Sequence, residues 1–248
     1  MDARDTRRIF DRAASTFDSA DFVHAVTRDG LLARLQPMTV DAATVIDLGS
    51  ATGASAQLLR QRFRGAAVIA VDISMPMLER SARRRSWFAR RPAVQADGRQ
   101  LPFANHSVDL VFSNLLLPWV DERETVFSEV ARVLRAEGLF LFSTLGPDSL
   151  AGLRREPFAD MHDVGDELVR AGLRDPVLDV DRLTVNYRDR QSLDRDLAAI
   201  GAGSCLDGQT GSLDVELELV YGHCWGAGQL SAGGEFRIAA GRIGRRNK

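Results

Sequence analysis

The stretch 44-TVIDLGSATGAS-55 decides how the rest of the chain is read. A short apolar run ends in an acid, Asp47, and two glycines follow four residues apart, Gly49 and Gly53. A buried strand that feeds a glycine-rich turn and then a helix lets a ligand approach the main chain and meet the free amides of the helix N-terminus. A dinucleotide fingerprint of the G-x-G-x-x-G type, counted from Gly49, needs glycines at 51 and 54. The chain has Ala51 and Ala54, so the nicotinamide reading fails at both positions.

Outward from this turn, residues 40–145 alternate β-branched runs with longer helical patterns, the signature of a parallel sheet covered by helices. The runs are 44-TVIDLG-49, 66-AAVIAVD-72, 93-AVQAD-97, 107-SVDLVFSN-114 and 138-GLFLFSTL-145, and their continuous hydrophobicity predicts strands buried on both faces. Apolar spacings of three and four predict helices over Ala54 to Arg64, Met75 to Arg85 and Arg123 to Arg135. Ser74 before Pro76 reads as a helix start, and Gly138 as a left-handed stop after Arg135. Before the sheet, residues 6–35 read as two amphipathic helices; after it come helices near Met161 to Ala171 and Leu193 to Ile200, an extended stretch 176–187 and a strand over 213–225.

Composition narrows the partners. The 248 residues carry a formal net charge of -2, so no bulk field recruits nucleic acid or an acidic membrane surface. The opening residues lack the apolar run of a signal peptide, and no later run approaches the ~18 apolar residues of a membrane span, so the expected location is cytoplasmic. Cys205 and Cys224 read as unpaired thiols, and His24, His106, His162 and His223 show no metal-ligand spacing. The glycine-rich, basic residues 226–248 are expected to form a loosely held tail.

The segment resembles the acidic-x-G-x-G-x-G turn of class I S-adenosylmethionine-dependent methyltransferases at Asp47, Gly49 and Gly53, with Ala51 as the departure. The resemblance continues at Asp72, 25 residues after Asp47, and at Asp97, 25 residues later again. It implies a doubly wound, seven-stranded, mostly parallel α/β sheet with S-adenosyl-L-methionine at the strand ends. Asp72 would then take the ribose hydroxyls, with Ile73 beside it. Asp97 and Gly98 would lie near the adenine, Ser50 and Ala51 in the turn, and Asn114 and Leu115 of 109-DLVFSNLLLPWV-120 beside the methyl group. Trp119 stands just beyond, where plain core packing is an equal reading.

Motifs spanning nearly the whole chain narrow the resemblance: 7-RRIFDRAASTFDSADF-22, 142-FSTLGPDSLAGLR-154, 158-FADMHDVGDELVRAGLRDPVLDVD-181 and 192-SLDRDLAAIGAGS-204. Together they resemble the malonyl-carrier-protein O-methyltransferases of biotin synthesis, and nearly as well the arginine-hydroxylating assembly factors of respiratory complex I. By that resemblance residues 1–40 form lid helices, with Phe17 and Phe22 at the acceptor entrance, over a domain at 41–225. The acceptor would be a malonyl thioester of acyl carrier protein or coenzyme A. Its carboxylate is already ionised at neutral pH, so the lack of an evident catalytic dyad needs no explanation. The arginine-rich run 80-RSARRRSWFARR-91, with Arg83, Arg84 and Arg85, would dock an acidic carrier or form a solvated helix end. A lapsed, non-catalytic binder is the third reading, raised by Ala51.

Overall fold

The computed structural model describes residues 2–83, 92–153, 156–204 and 212–227. Seven strands form one sheet: β1 (Thr44–Leu48), β2 (Ala67–Asp72), β3 (Ala93–Gln95), β4 (Val108–Asn114), β5 (Leu134–Leu145), β6 (Arg174–Asn186) and β7 (Asp214–Trp225). Their order is β3-β2-β1-β4-β5-β7-β6, with β7 antiparallel to both neighbours and the other pairings parallel. The chain moves outward through β2 and β3, then returns to place β4 against the other edge of β1. A crevice for a ligand opens at such a switch point, outside the carboxyl ends of β1 and β4.

The central strands read as unbroken apolar runs because both faces are covered. Leu110 and Phe112 of β4 and Leu139 and Leu141 of β5 point into one core with α2 (Phe22–Leu35), α3 (Ala54–Arg62) and α7 (Arg190–Ala199). Val111, Phe140 and Phe142 point into the other, with α5 (Arg123–Val133) and α6 (Met161–Arg170). β6 lies at the edge, and its residues alternate between half-buried and exposed over most of its length. Two further helices, α1 (Ala3–Ala13) and α4 (Met75–Arg83), pack on each other, and α2 packs across β4, β5 and β7. No helix among the described residues is long and apolar enough to cross a membrane.

Ser74 starts α4 as its position suggested, accepting from the Met77 N–H at 3.4 Å. Gly138 is not a helix stop. α5 ends at Val133, Leu134 is already extended, and Gly138 lies inside β5. A Cβ there would meet the Leu134 side chain at 2.9 Å and the Val108 carbonyl at 3.0 Å, beside a register shift between Val108 and Leu110. Close approach of main chains at a bulge, rather than left-handed geometry, requires that glycine. Cys224 is a free, buried thiol. Cys205, Arg84, Arg85 and residues 228–248 lie outside the described residues, as does the side chain of Arg83.

Candidate active site

The turn after β1 has the shape its glycines predict. Gly49 and Gly53 sit at φ +72° and +82°, and Ala51 between them at φ +45°. For an alanine this left-handed conformation costs roughly 1–2 kcal/mol, so surrounding bonds must hold it. The N–H groups of Gly49 and Ser50 both donate to the Val71 carbonyl, at 2.9 and 3.0 Å. The Ala51 N–H donates to Asp72 Oδ2 at 2.8 Å, while Asp72 Oδ1 accepts from the Ser74 N–H at 2.8 Å. Asp72 thereby ties the turn to the start of α4, and each of its oxygens keeps a second lone pair. Burial pushes its carboxyl up to about 6, against those two N–H groups.

Asp97 faces Arg99, which grips both carboxylate oxygens and adds its own N–H at 2.9 Å. Burial opposes ionisation there, but Arg99 outweighs it and holds the carboxyl below its usual range. At the end of β4, Leu115 takes φ +54°, and its N–H is shared by the Ser143 carbonyl and Ser143 Oγ. Strain of this kind at a strand end persists where surrounding bonds over-determine it. Asn114 Oδ1 accepts from Ser143 Oγ at 2.8 Å, and its Nδ2 donates to the His24 carbonyl at 2.9 Å, fixing α2 onto the strand.

Three cavities meet here. The first is lined by Gly49, Ala51, Asp72, Ile73, Asp97, Gly98, Arg99, Asn114, Leu115 and Trp119 from the sheet side, and by Phe10, Phe17 and His24 from the N-terminal segment. The second, of about 400 Å³, has mostly apolar walls and reaches from Phe22 and Trp119 to Leu193, Leu197 and Leu217. The third is a small polar recess beside the first, with Asp21, Arg28, Ser50, Thr52, Ser55 and Asn114 on its walls. The N-terminal segment is fastened over them: Asp11 accepts from Ser74 Oγ at 2.7 Å, and Asp18 from Thr52 Oγ1.

Ten of the residues picked out from the sequence therefore line the first cavity: Phe17, Gly49, Ala51, Asp72, Ile73, Asp97, Gly98, Asn114, Leu115 and Trp119. Ser50 lines the recess, and Phe22 and Trp119 the large cavity. Phe17, expected at the acceptor entrance, lies instead on the first cavity and the recess, buried with Ala13, Ala14 and Met77 against Ala51. Gly53 and Asp47 line none of the three. Gly53 shapes the turn, and a Cβ there would collide with Ser81. Asp47 is 1% exposed beneath the turn, and burial pushes its carboxyl up to about 7.

His24, Arg28 and Arg99 were missed. His24 and Arg28 are one turn apart on α2, a spacing that marks one helix face but not a ligand. The chemistry of the recess fits a zwitterion such as the methionine end of S-adenosylmethionine: Arg28 Nε and Ser50 Oγ on its walls are buried without a hydrogen-bond partner, and Asp21 on the same walls carries the opposite sign of charge. Orphaned buried groups of this kind each cost about 1–3 kcal/mol, which a bound amino-acid group would recover.

Residues 46–142 match the methyltransferase domain family. The chain is 38% identical to the malonyl-[acyl-carrier protein] O-methyltransferase of a Methylovorus species, over 91% of this chain and 89% of that one. It is 36% identical to the protein of the same name from Halorhodospira halophila, over 100% and 97%. Among solved structures it resembles a phosphoethanolamine N-methyltransferase of Haemonchus contortus at 16% identity, with TM-score 0.63 over 89% of this chain and 60% of that one. A methyltransferase of Thermotoga maritima, also at 16% identity, gives TM-score 0.59 over 89% and 99%. With a sheet order, a strand-end cavity and a chain-long similarity that agree, this chain belongs to the malonyl-[acyl-carrier protein] O-methyltransferase family.

Proposed function

We propose that the chain methylates the free carboxylate of a malonyl thioester carried on acyl carrier protein, a step in building a biotin precursor. The observation that carries this reading is the chain-long identity to enzymes of that name, joined to an apolar cavity that meets the cofactor cavity at Leu115 and Trp119. When bound, S-adenosylmethionine supplies a sulfonium methyl, to which an acceptor carboxylate oxygen bonds as the S–CH₃ electron pair returns to sulfur. Asp72 would hold the ribose hydroxyls, Arg28 and Ser50 the methionine end, and the slot beside Ile73, Gly98 and Val120 the flat ring.

The chain's own contribution is placement and exclusion of water. Phe10, Phe17 and Trp119 wall the crevice, with Phe10 and Trp119 edge to face at 4.8 Å. No proton is taken up or lost, because an anionic oxygen and a cationic methyl donor give two neutral products. A general base is therefore unnecessary.

The volume of about 400 Å³ exceeds the needs of a malonyl group and leaves room for part of the arm that bears it. The carrier itself would dock through the arginine run at 80–91, whose six arginines are unrelieved by any acid. The test supplies malonyl carrier and malonyl-coenzyme A with labelled cofactor and follows methyl ester formation. Reversal of Arg83, Arg84 and Arg85 to glutamate should raise the KM for the carrier and leave that for coenzyme A nearly unchanged. Cofactor binding without ester formation on either thioester would leave a binding protein instead.

A further inference from the structure

We propose that His24 binds the acceptor carboxylate, donating a hydrogen bond from Nε2 at the mouth between the first cavity and the large one. The inference rests on the malonyl reading above and names the group that would hold that acceptor.

The acceptor is an anion, yet among the described residues the walls of its cavity hold two carboxylates, Asp121 and Asp196, and no lysine or arginine. Among the described wall residues, only neutral donors are left to meet it. Four residues are shared by the cofactor and acceptor cavities: His24, Leu115, Trp119 and Asp121. The methyl must pass where these four stand. Leu115 has no polar side-chain atom, and the carboxylate oxygens of Asp121 accept hydrogen bonds rather than donate them. Trp119 has an indole N–H, but it lines only these two cavities, its ring packed edge to face on Phe10. His24 alone lines the recess as well, and so touches all three spaces.

Its ring is held firmly and left polar. Phe17 lies against it, centroids 4.9 Å apart, and its main-chain carbonyl is clamped by Asn114. Nδ1 is sealed from solvent without a partner, and no described residue hydrogen-bonds to Nε2. An orphaned buried N–H is rarer than an orphaned lone pair. The neutral ring should therefore carry its proton on Nε2, the nitrogen that remains open to the cavities.

A neutral donor also suits the chemistry better than a cation would. An imidazolium would draw electron density from the attacking oxygen and repel the sulfonium. Burial, with help from Arg28 one turn away, lowers the His24 pKa to about 4, so the ring stays neutral through the physiological range. The other charged groups around it are Asp21 on the recess, Asp121 at the mouth and Asp196 across the acceptor cavity.

The test compares wild type with His24→Leu, which removes the donor, and His24→Gln, which keeps one. Methyl ester formation on a malonyl thioester is measured together with calorimetric affinity for S-adenosylhomocysteine and a thermal melt. Loss of a hydrogen bond to a charged group predicts at least a ~10-fold fall in kcat/KM for the acceptor in His24→Leu. Product affinity should stay within about twofold, and His24→Gln should recover much of the rate. With S-adenosylmethionine saturating, the wild-type kcat/KM profile for the acceptor should show no step near pH 6.5 that His24→Gln removes. Equal activity in wild type and the leucine variant overturns the inference alone, as does a parallel loss of S-adenosylhomocysteine affinity or a step near pH 6.5 that the glutamine variant abolishes. Wild type that binds S-adenosylhomocysteine but esterifies no malonyl thioester overturns the malonyl reading and this inference with it.

Discussion

The first cavity and the larger one that meets it at His24 are built on different principles. Around the cofactor cavity the polar contacts come from main chain and short acids at the ends of β1 to β4, locked to one another within hydrogen-bond distance. Around the acceptor cavity the walls come from segments far apart in sequence, from Ala20 to Leu217, and are mostly apolar side chains. The first kind of site is specified by local turn geometry and tolerates little change. The second, apart from the donor at its mouth, is set by shape and volume, and can be re-cut by substitution without unfolding the sheet.

The sharpest way to break this contrast is Asp72→Ala. That carboxylate holds both the turn, through the Ala51 N–H, and the start of α4, through the Ser74 N–H. Ribose hydroxyls lost from a charged acceptor should each cost about 1.5–3 kcal/mol, so calorimetry should show cofactor affinity weakened at least ~10-fold. An unchanged affinity would mean that the turn alone binds the cofactor. A smaller loss, on the order of 10-fold, is expected from Arg28→Leu, because one charge-assisted contact to the methionine carboxylate goes while the turn survives. Neither variant should alter the acceptor cavity.

These two residues also show what could be read in advance. Asp72 was legible because it ends a strand that the hydrophobic run makes plain, and because its distance from Asp47 matches that of Asp97 from Asp72. The sheet was legible for the same reason: strands buried on both faces write continuous runs, as in 138-GLFLFSTL-145. Arg28 and His24 were not, because they reach the site from a helix that crosses β4, β5 and β7, and only that crossing brings them to the turn. Gly138 was misread because a bulge glycine and a helix-stop glycine look alike when both follow a helix.

A third prediction sets the two cavities apart by pH. Asp47 and Asp72 titrate near 7 and 6 in the fold, against about 3.9 unfolded. The empty fold thus binds more protons than the unfolded chain between about pH 4 and 7, and its stability should fall as pH rises through that window. A bound cationic cofactor with ribose donors favours both carboxylates, so binding should release protons and tighten several-fold between about pH 5.5 and 7.5. Calorimetry in two buffers of different ionisation enthalpy checks the release, and Asp72→Asn should flatten the profile. Acceptor binding, served by a neutral ring, should show no such dependence.

The smallest effect is expected at Ala51, the one departure from the glycine turn that the sequence resembles. Its φ of +45° is unfavourable for any residue with a Cβ, by roughly 1–2 kcal/mol. Glycine would relieve that strain at an entropic cost of about 0.5–1 kcal/mol. The methyl also packs at the margin of the cluster of Ala13, Ala14, Phe17 and Met77, so part of the relief would be offset by about 0.8 kcal/mol for one buried methyl-sized group. These nearly cancel, and Ala51→Gly should shift stability by less than about 1 kcal/mol in either direction while leaving the Ala51 N–H bond to Asp72 in place. Cofactor affinity should then be equal or slightly better. The methyl is best understood as a local replacement for packing: it presses the N-terminal segment onto the turn, at a site where a glycine would leave Phe17 a looser neighbour. If wild type binds no cofactor in calorimetry and the glycine variant does, the left-handed alanine has closed the site, and the contrast between a fixed cofactor half and an adaptable acceptor half fails at its central residue.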